Sequence, residues 1–282
     1  MHEGRQLRPI MVNQIASSAL LVSSFCGLMA GLLACQRHCR PHPELMRKLV
    51  HLGMGLVALS LPWLFESAWS VVVLTSVFVL LLIGLRVQPT LRIHLGSPIH
   101  GVDRKSLGDI YFALGVGGLF LFSSGDPLLF CIPILILTLA DAAAGVTGLY
   151  YGRLRYVVVT GEKSIEGSIA FFFTAFLSAH TALLLFTEIG RIETLLIALA
   201  LGLFLTLVEA VASNGLDNLL IPLAALLLLK AYLGMDLIAL AVHLGTAILI
   251  TSFALFWVRR RLTGRLGPRS PDLTPAKGHL ST

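Results

Sequence analysis

Long apolar stretches alternate with short polar segments along almost the entire chain. The longer stretches exceed eighteen residues, which is enough to cross about 30 Å of hydrocarbon. Because lipid offers no partners for backbone N–H and C=O groups, each stretch is expected to be a helix. The pattern therefore predicts an all-α, polytopic integral membrane protein with about nine transmembrane helices. Their expected limits are Asn13–Cys35, Leu49–Phe65, Ala68–Leu85, Ile110–Ser123, Pro127–Tyr150, Ile165–Thr187, Thr194–Ala212, Leu219–Leu233 and Leu237–Val258.

Composition agrees with a membrane location. Of the 282 residues, 56% are hydrophobic and only 13% are charged, about half the share of charged residues in soluble domains. The mean hydropathy is +0.86. The net charge of +6 is not carried by a basic helix with interleaved aromatic residues, which argues against nucleic-acid binding. The four cysteines have neither a metal-pair nor a disulfide-framework spacing.

The Lys and Arg residues indicate the orientation. Most of them fall in the loops after the first, third and fifth stretches and in the C-terminal tail, whereas the opposite short loops contribute only Arg191. The positive-inside rule then places the N-terminus outside and the C-terminus in the cytoplasm. We expect an N-terminal helix with a basic loop (1–48), a membrane-embedded catalytic domain (49–258) and a basic, disordered cytoplasmic tail (259–282). No transit peptide is visible, so a prokaryotic inner membrane is the expected location.

Two carboxylates lie inside the predicted spans. Asp141 is in the cytoplasmic half of the fifth span, and Glu209 is near the cytoplasmic end of the seventh. An ionised carboxylate in lipid costs at least about 2.5–3.5 kcal/mol. Each therefore needs a partner, a cavity or a cation, and a purely structural protein has no use for both.

Other polar residues gather at the same side of the predicted membrane. A transporter more often places its essential groups at the midplane, so it is the weaker alternative. A one-sided cluster suits an enzyme that takes one substrate from the cytosol and another from the membrane. The clustered residues are His51, Asp109, Lys163, Glu166, Asp217 and Asn218.

The segment "LADAAAGVTGLYYGR" surrounds the first carboxylate with glycines. Asp141, Gly145, Gly148 and Gly152 are spaced 4, 3 and 4 residues apart, so they share one helical face. Glycine lets a ligand or a neighbouring helix approach the backbone closely. Ligand binding and helix packing both remain open for these glycines.

The segment "GEKSIEGS" follows and contains the parts of a nucleotide site. Lys163 can meet a phosphate, Ser164 can cap the next helix, and the helix N-terminus around Gly167 is an anion site. Glu166 can bind a metal or complement the helix dipole. Carboxylates near a lysine and free backbone donors suit Mg²⁺ with a nucleotide, although no Walker A loop occurs. The candidate metal ligands are Asp141, Glu166 and Glu209.

Five motifs in order resemble the phytol kinase and dolichol kinase family of CTP-dependent polyprenol and lipid kinases. They are "RKLVHLG", "DRKSLGDIYFALG", "LADAAAGVTGLYYGR", "GEKSIEGSIAFFF" and "EAVASNGLDNLLIPL", which together cover roughly Arg47 to Leu228. One departure is "DNLLIPL", where a Thr or Ser is expected after Leu219. Part of the pattern is also similar to the cytidylyltransferases that make CDP-diacylglycerol.

The resemblance implies CTP as the nucleotide, Mg²⁺ as the metal and a membrane alcohol as the acceptor. The catalytic candidates are Asp141, Lys163, Glu209, Asp217 and His51. The candidates for binding the nucleotide are Lys105, Asp109, Gly145, Gly148, Lys163, Ser164, Gly167 and Asn218.

The implied reaction transfers the γ-phosphoryl group of CTP to the hydroxyl of a lipid alcohol, chiefly through positioning and charge neutralisation. Phytol, farnesol or geranylgeraniol, a dolichol-like polyprenol and diacylglycerol all remain candidates, and Asp141, Asp217 or His51 could be the base. The alternatives are a lipid cytidylyltransferase, which the short loop "YGRLRYVVVTGEK" disfavours, and a secondary transporter. The sequence gives no indication of the oligomeric state.

Overall fold

The computed structural model of the protein describes residues 14–87, 107–158 and 161–264. Each of the nine predicted stretches corresponds to a helical segment in this part of the chain. The helices are α1 (Gln14–Cys39), α2 (Pro43–Ala58), α3 (Leu61–Leu64), α4 (Ala68–Val87), α5 (Gly108–Phe122), α6 (Pro127–Leu135), a π-helical turn (Ile136–Ala140), α7 (Asp141–Tyr151), α8 (Ile165–Phe186), α9 (Arg191–Val211), α10 (Asp217–Leu233) and α11 (Leu237–Gly264).

Several of these segments are long and apolar enough to cross a membrane, which agrees with the predicted polytopic membrane fold. Six in the described residues are long and apolar enough for this by length and composition. They are Gln14–Cys39, Pro43–Leu64, Pro127–Tyr151, Ile165–Phe186, Arg191–Val211 and Leu237–Val258. The helices α5 and α10 have 15 and 17 residues, fewer than the roughly 20 of a full span. Nine complete crossings therefore stay a prediction.

Helix α2 begins well before its apolar stretch. Pro43 occupies its first turn, where a missing N–H costs nothing, and the His42 side chain accepts a hydrogen bond from the Glu44 N–H at 3.2 Å. These local signals start the helix at Pro43 and not at the hydropathic limit Leu49. The expected boundary between residues 48 and 49 consequently falls inside α2, and the first basic residues of that helix belong to the membrane-embedded bundle.

The central segment runs through α6, the π-helical turn and α7, and it carries several fully buried side chains. Ile134, Ile136 and Leu137 have no exposed surface. Pro133 lies inside α6, and the π-helical turn ends directly before Asp141. Proline and π-helical turns both interrupt the regular hydrogen-bond ladder of a helix. The turn therefore offsets the face of α7 that carries Asp141 from the apolar face of α6.

Small residues let the surrounding helices approach one another. Ala175, Ala179 and Ala182 of α8 are buried and spaced for one helical face, and Ala198 of α9 is also buried. Lipid tails and the protein interior are equally apolar, so a helix gains no hydrophobic energy by leaving one for the other. Close van der Waals packing stabilises such helix contacts instead. Residues such as Phe253 on α11 are largely exposed and form the lipid-facing exterior. The core thus holds the central segment in place from several sides.

A short β-hairpin joins α7 to α8, which the hydropathy pattern did not predict. Strand β1 (Arg155–Val158) pairs antiparallel with β2 (Gly161–Ser164), and Tyr156 lies opposite Lys163. The β-branched residues of "RYVV" favour a strand. Gly161 has a φ of +155°, a conformation that favours glycine. The hairpin brings Lys163 to the end of α9.

Candidate active site

A cavity of about 1150 Å³ opens at one end of the bundle. The starts of α2, α5, α8 and α10, the ends of α4 and α9, one face of α7 and the hairpin all contribute to its wall. Its charged lining residues are Glu44, Arg47, Lys48, Arg86, Asp109, Asp141, Arg155, Glu162, Lys163, Glu209 and Asp217. Five of the six residues of the predicted cluster, all except Glu166, therefore line one cavity to which distant parts of the chain contribute.

Lys48 and Asp141 form a buried ion pair in the wall of this cavity. The Lys48 ammonium donates to both carboxylate oxygens of Asp141, at 2.7 Å to each. His51, one turn further along α2, places Nε2 3.6 Å from Asp141 Oδ2. All three residues are less than one tenth exposed. Among the described residues, the His51 Nε2 atom is buried without a hydrogen-bond partner, and His51 lines the cavity.

Gly145 makes room for this ion pair. A Cβ atom at this position would overlap the stem of Lys48, which passes directly over the glycine, and would lie 3.0 Å from Cδ and 3.1 Å from Nζ. The first glycine of the row on α7, Gly145, therefore has a definite role. It lets Lys48 reach Asp141 across the surface of α7.

Lys163 and Glu209 form a second ion pair in the cavity. Lys163 Nζ donates to Glu209 Oε1 at 2.7 Å and also to the Glu209 backbone carbonyl. Glu209 is buried near the end of α9. Its other carboxylate oxygen, Oε2, is buried and has no hydrogen-bond partner among the described residues. Glu209 lines the cavity, so a small shift of its side chain would offer that oxygen to a ligand.

The hairpin is fastened beside this second pair. The Tyr156 hydroxyl and the Ser168 hydroxyl are 2.7 Å apart. Burial, with a smaller contribution from the negative charge of Glu209, raises the pKa of Tyr156 to about 12. Tyr156 is therefore neutral at physiological pH, and its contact with α8 helps to hold β1 and β2 in position.

The start of α8 is capped as the sequence predicts. Ser164 Oγ accepts a hydrogen bond from the Gly167 N–H at 3.0 Å, and the Ile165 N–H donates to the Leu154 carbonyl at 2.9 Å. Gly148 and Gly167 pack closely here, since added Cβ atoms would lie 3.1 Å and 3.0 Å from Ser164 Oγ. Backbone donors of this helix start are thus used by the protein itself, although Ser164 and both glycines line the cavity.

The opposite wall is built from α4, α5 and α10. Arg86 forms an ion pair with Asp109, and Asn218 Nδ2 donates to the Gly108 carbonyl at 2.8 Å. Asp217 begins α10, and its Oδ1 accepts a hydrogen bond from the Asn218 N–H at 3.1 Å. These contacts join the starts of α5 and α10, and Asp109, Asp217 and Asn218 all line the same cavity.

Two of the predicted site residues are not part of this arrangement as described. Glu166 does not line the cavity, because its carboxylate accepts hydrogen bonds from the Leu154 N–H at 3.1 and 3.3 Å. It fastens the segment between α7 and β1 instead. Lys105 lies outside the described residues, so its predicted role stays a prediction.

The described residues only partly match the predicted metal site. They contain no group of three or more His, Cys, Asp or Glu side chains that could hold a metal ion, and Glu166 is turned away. Magnesium, however, usually takes one or two carboxylates together with phosphate oxygens. The available Oε2 of Glu209 fits that demand. Asp141 would share its oxygens with Lys48.

Lys48 is the residue of this site that sequence reasoning did not assign. Its position three residues before His51 in "RKLVHLG" was visible, and Asp141 required a partner. A buried Asp in a membrane protein is a signal to look for a lysine or arginine at the end of another helix. Arg47 and Arg86 also line the cavity and were seen in the sequence only as topology signals.

Comparison with known proteins gives one informative relationship. A protein from Synechocystis sp. (strain ATCC 27184 / PCC 6803 / Kazusa), named phytol kinase, is 32% identical to this chain over 187 residues. The match covers 66% of this chain and 78% of the relative. No protein-family model and no solved structure matches the chain. With this identity over more than three quarters of the relative, the chain belongs to the phytol kinase family.

Proposed function

We propose that this protein is a membrane lipid-alcohol kinase that transfers the γ-phosphoryl group of CTP to the hydroxyl of an isoprenoid alcohol or diacylglycerol. The observation that carries the proposal is the cavity itself, in which the buried pair Lys48–Asp141 and the partly buried pair Lys163–Glu209 lie among apolar helices. Buried charges of both signs suit a charged substrate that must meet a membrane substrate. The phytol kinase relative supports the kinase class.

The cavity would face the cytoplasm in a prokaryotic inner membrane. Arg47, Arg86 and Arg155 line it, whereas Lys230 binds the carbonyl of Phe122 at the other end of α5. Excess basic residues at the cavity end favour a cytoplasmic location of that end. Nine spans, with the N-terminus outside and the C-terminus inside, agree with this orientation. CTP would then enter from the cytosol and the alcohol from the cytoplasmic leaflet.

The reaction needs a base for the hydroxyl proton. The alcohol oxygen forms a bond to the γ-phosphorus, the bond from that phosphorus to the β–γ bridging oxygen breaks, and CDP leaves. His51, which lines the cavity, is favoured over Asp141 and Asp217 as the proton acceptor because its Nε2 has no hydrogen-bond partner among the described residues. Asp141, whose Oδ2 lies 3.6 Å from the same nitrogen, would stabilise the positive charge of His51 after proton transfer, and Lys48 balances the charge of Asp141.

The phosphate oxygens need cations. Lys163 and Arg155, which lie on the two strands of the hairpin and both line the cavity, would stabilise the charge that develops on the departing CDP. Glu209 and Asp141 would hold Mg²⁺, which neutralises phosphate charge when it is bound. Lys105, Asp109, Asn218 and the glycines of α7 and α8 would complete the nucleotide-binding wall.

Phosphoryl transfer in nanodiscs tests the proposal. Purified protein would receive γ-labelled CTP, or ATP in parallel, with Mg²⁺ and a panel of alcohols that includes phytol, farnesol, geranylgeraniol, a polyprenol and diacylglycerol. Asp141→Asn and Glu209→Gln are the loss-of-function variants, and Glu166→Gln, outside the cavity, is the matched control.

Three outcomes separate the candidate functions. Label in the lipid fraction, preferred with CTP and lost in both cavity variants, supports the kinase. Release of pyrophosphate with phosphatidate, without labelled alcohol, would identify a cytidylyltransferase. Absence of both reactions would reject an enzymatic function and favour the secondary transporter.

A further inference from the structure

The cavity has a second, apolar half that the charged residues do not use. Its lining residues on this side are Phe25 of α1, Val50 and Met54 of α2, and Phe78 and Leu82 of α4. Ligand pockets commonly measure about 300–1000 Å³, so a cavity of about 1150 Å³ has room for more than one small ligand. The apolar half is continuous with the half that holds the ion pairs.

Polarity changes in the same direction along two of the helices in the cavity wall. On α2, Lys48 is followed by His51 and then by Met54, each one turn further into the bundle. On α4 the order is reversed along the chain, because Phe78 and Leu82 precede Arg86. Both helices therefore present charge at the cavity mouth and hydrocarbon deeper inside. A ligand that fits this gradient has a polar head and an apolar tail.

The outer wall of the apolar half is formed by α1 and α4. The rings of Phe25 and Phe78 meet edge to face with centroids 5.1 Å apart, and Leu28 of α1 packs over Gly53 of α2. None of the most apolar window of α1 is buried, so this helix faces lipid along most of its length. The seam between α1 and α4 (the contact of Phe25 with Phe78) is thus the border between the cavity and the surrounding lipid.

We propose that the apolar half of the cavity binds the part of the alcohol's tail next to the hydroxyl, and that the rest of the tail leaves through the seam between α1 and α4. This proposal rests on the kinase function proposed above. From Arg86 to Phe78 the wall is about 12 Å long, at 1.5 Å per helical residue. A long isoprenoid tail exceeds that length, so only its first portion is held by protein.

The apolar half of the cavity is called the groove from here on. Its location next to lipid determines which features of an alcohol it can select. A tail that moves from lipid into an apolar groove gains little from the hydrophobic effect, because both surroundings are apolar. Selection must therefore come from shape and from the position in which the groove holds the hydroxyl. The protein is sensitive to branching and bulk near the hydroxyl, and it is insensitive to the total length of the tail.

Photocrosslinking tests the groove without relying on activity. Two isoprenoid alcohols would carry a diazirine, one near the hydroxyl and the other at the far end of the tail, in nanodiscs with the full-length protein. The proximal probe is expected to label peptides of α1 and α4, and excess geranylgeraniol should reduce that labelling at least fivefold. The distal probe is expected to label lipid-facing surfaces without competition. Uncompeted labelling by both probes would overturn the proposal.

Phe78→Trp narrows the groove and provides a kinetic test. With a branched isoprenoid alcohol, kcat/KM should fall about tenfold more than with an unbranched alcohol of equal length, while C20 and longer prenyl alcohols should stay within threefold of each other. Phe173→Trp is the matched control, because Phe173 is exposed on α8 and does not line the cavity. Equal effects on both alcohol types would overturn the groove. Absence of transfer in the wild type would reject the kinase function, and crosslinking would still test the groove.

Discussion

Lys48 and Asp141, 93 residues apart in the chain, form a twofold hydrogen-bonded ion pair with both distances at 2.7 Å. The pair joins α2 to the start of α7, directly after the π-helical turn. It explains how the bundle holds a carboxylate in an apolar setting. Its partner His51 connects the same carboxylate to the part of the cavity where the alcohol would react.

Breaking this ion pair should affect stability and activity separately. Removing one member of a buried pair commonly costs about 3–5 kcal/mol, because the other charge is left uncompensated. We expect Asp141→Leu and Lys48→Met to lower the thermal midpoint in detergent, and the double variant Lys48→Met/Asp141→Leu to recover most of the loss. Phosphoryl transfer should be lost in all three variants, including the stabilised double variant. A double variant as unstable as the worse single variant would show that the two side chains are not energetically coupled.

Substitution of Glu209 and of Glu166 should have very different effects on phosphoryl transfer, although both residues were predicted as metal ligands. Glu209→Gln keeps an acceptor for Lys163 but removes the charge and alters the available Oε2. We expect transfer to fall about a hundredfold or more, as for loss of one electrostatic contact in an active site, and the Mg²⁺ concentration for half-maximal rate to rise. Glu166→Gln should stay within threefold of wild type, since its amide oxygen still accepts from Leu154. A larger loss of phosphoryl transfer in Glu166→Gln would show that Glu166 does act in the active site.

The different positions of these two glutamates show how much of the site can be predicted from one sequence. Hydropathy located the helical segments, and the cost of burying charge singled out Asp141 and Glu209. The direction of the Glu166 side chain was not visible, because its neighbours Gly167 and Ser168 do face the cavity and a helix turns by about 100° per residue. Adjacent positions in a motif therefore lead to different surroundings.

The pairing of charges was also beyond the sequence. Asp141 needed a cation, but Lys48, Lys163 and several arginines all lay at the same predicted membrane side. Contact between α2 and α7 selects Lys48, and the hairpin, which no hydropathy pattern predicts, carries Lys163 to Glu209. Tertiary packing decides such choices, whereas local patterns determine where each helix begins and ends.

Gly145 should be intolerant of even one added methyl group. Gly145→Ala places Cβ against the Lys48 stem, and overpacking of this kind typically costs about 1–3 kcal/mol. We expect a lower thermal midpoint and a loss of transfer, because Lys48 must leave Asp141. Gly31→Ala is the matched control on α1, where nothing lies within 4 Å of the added Cβ. It should be neutral or stabilising by up to about 1 kcal/mol. Similar behaviour of the two variants would remove the special role of Gly145.

Cysteine accessibility should show which side of the membrane the cavity faces. Cys39 is exposed at the end of α1, close in sequence to Glu44 and Arg47 at the cavity mouth. Glu188 follows α8, whose start lines the cavity, so it lies at the opposite end. In a variant that lacks the other three cysteines, a membrane-impermeant maleimide should label Cys39 in inverted vesicles and leave it unlabelled in intact cells.

The reciprocal variant completes this test of orientation. With Cys39 also removed and Glu188→Cys introduced, intact cells should be labelled and inverted vesicles protected. The expectation follows from the excess of basic residues at the cavity end. Labelling of Cys39 in intact cells would place the cavity outside, where cytosolic CTP cannot reach it. The proposed kinase reaction would then lose its nucleotide supply, whatever the chemistry of the cavity.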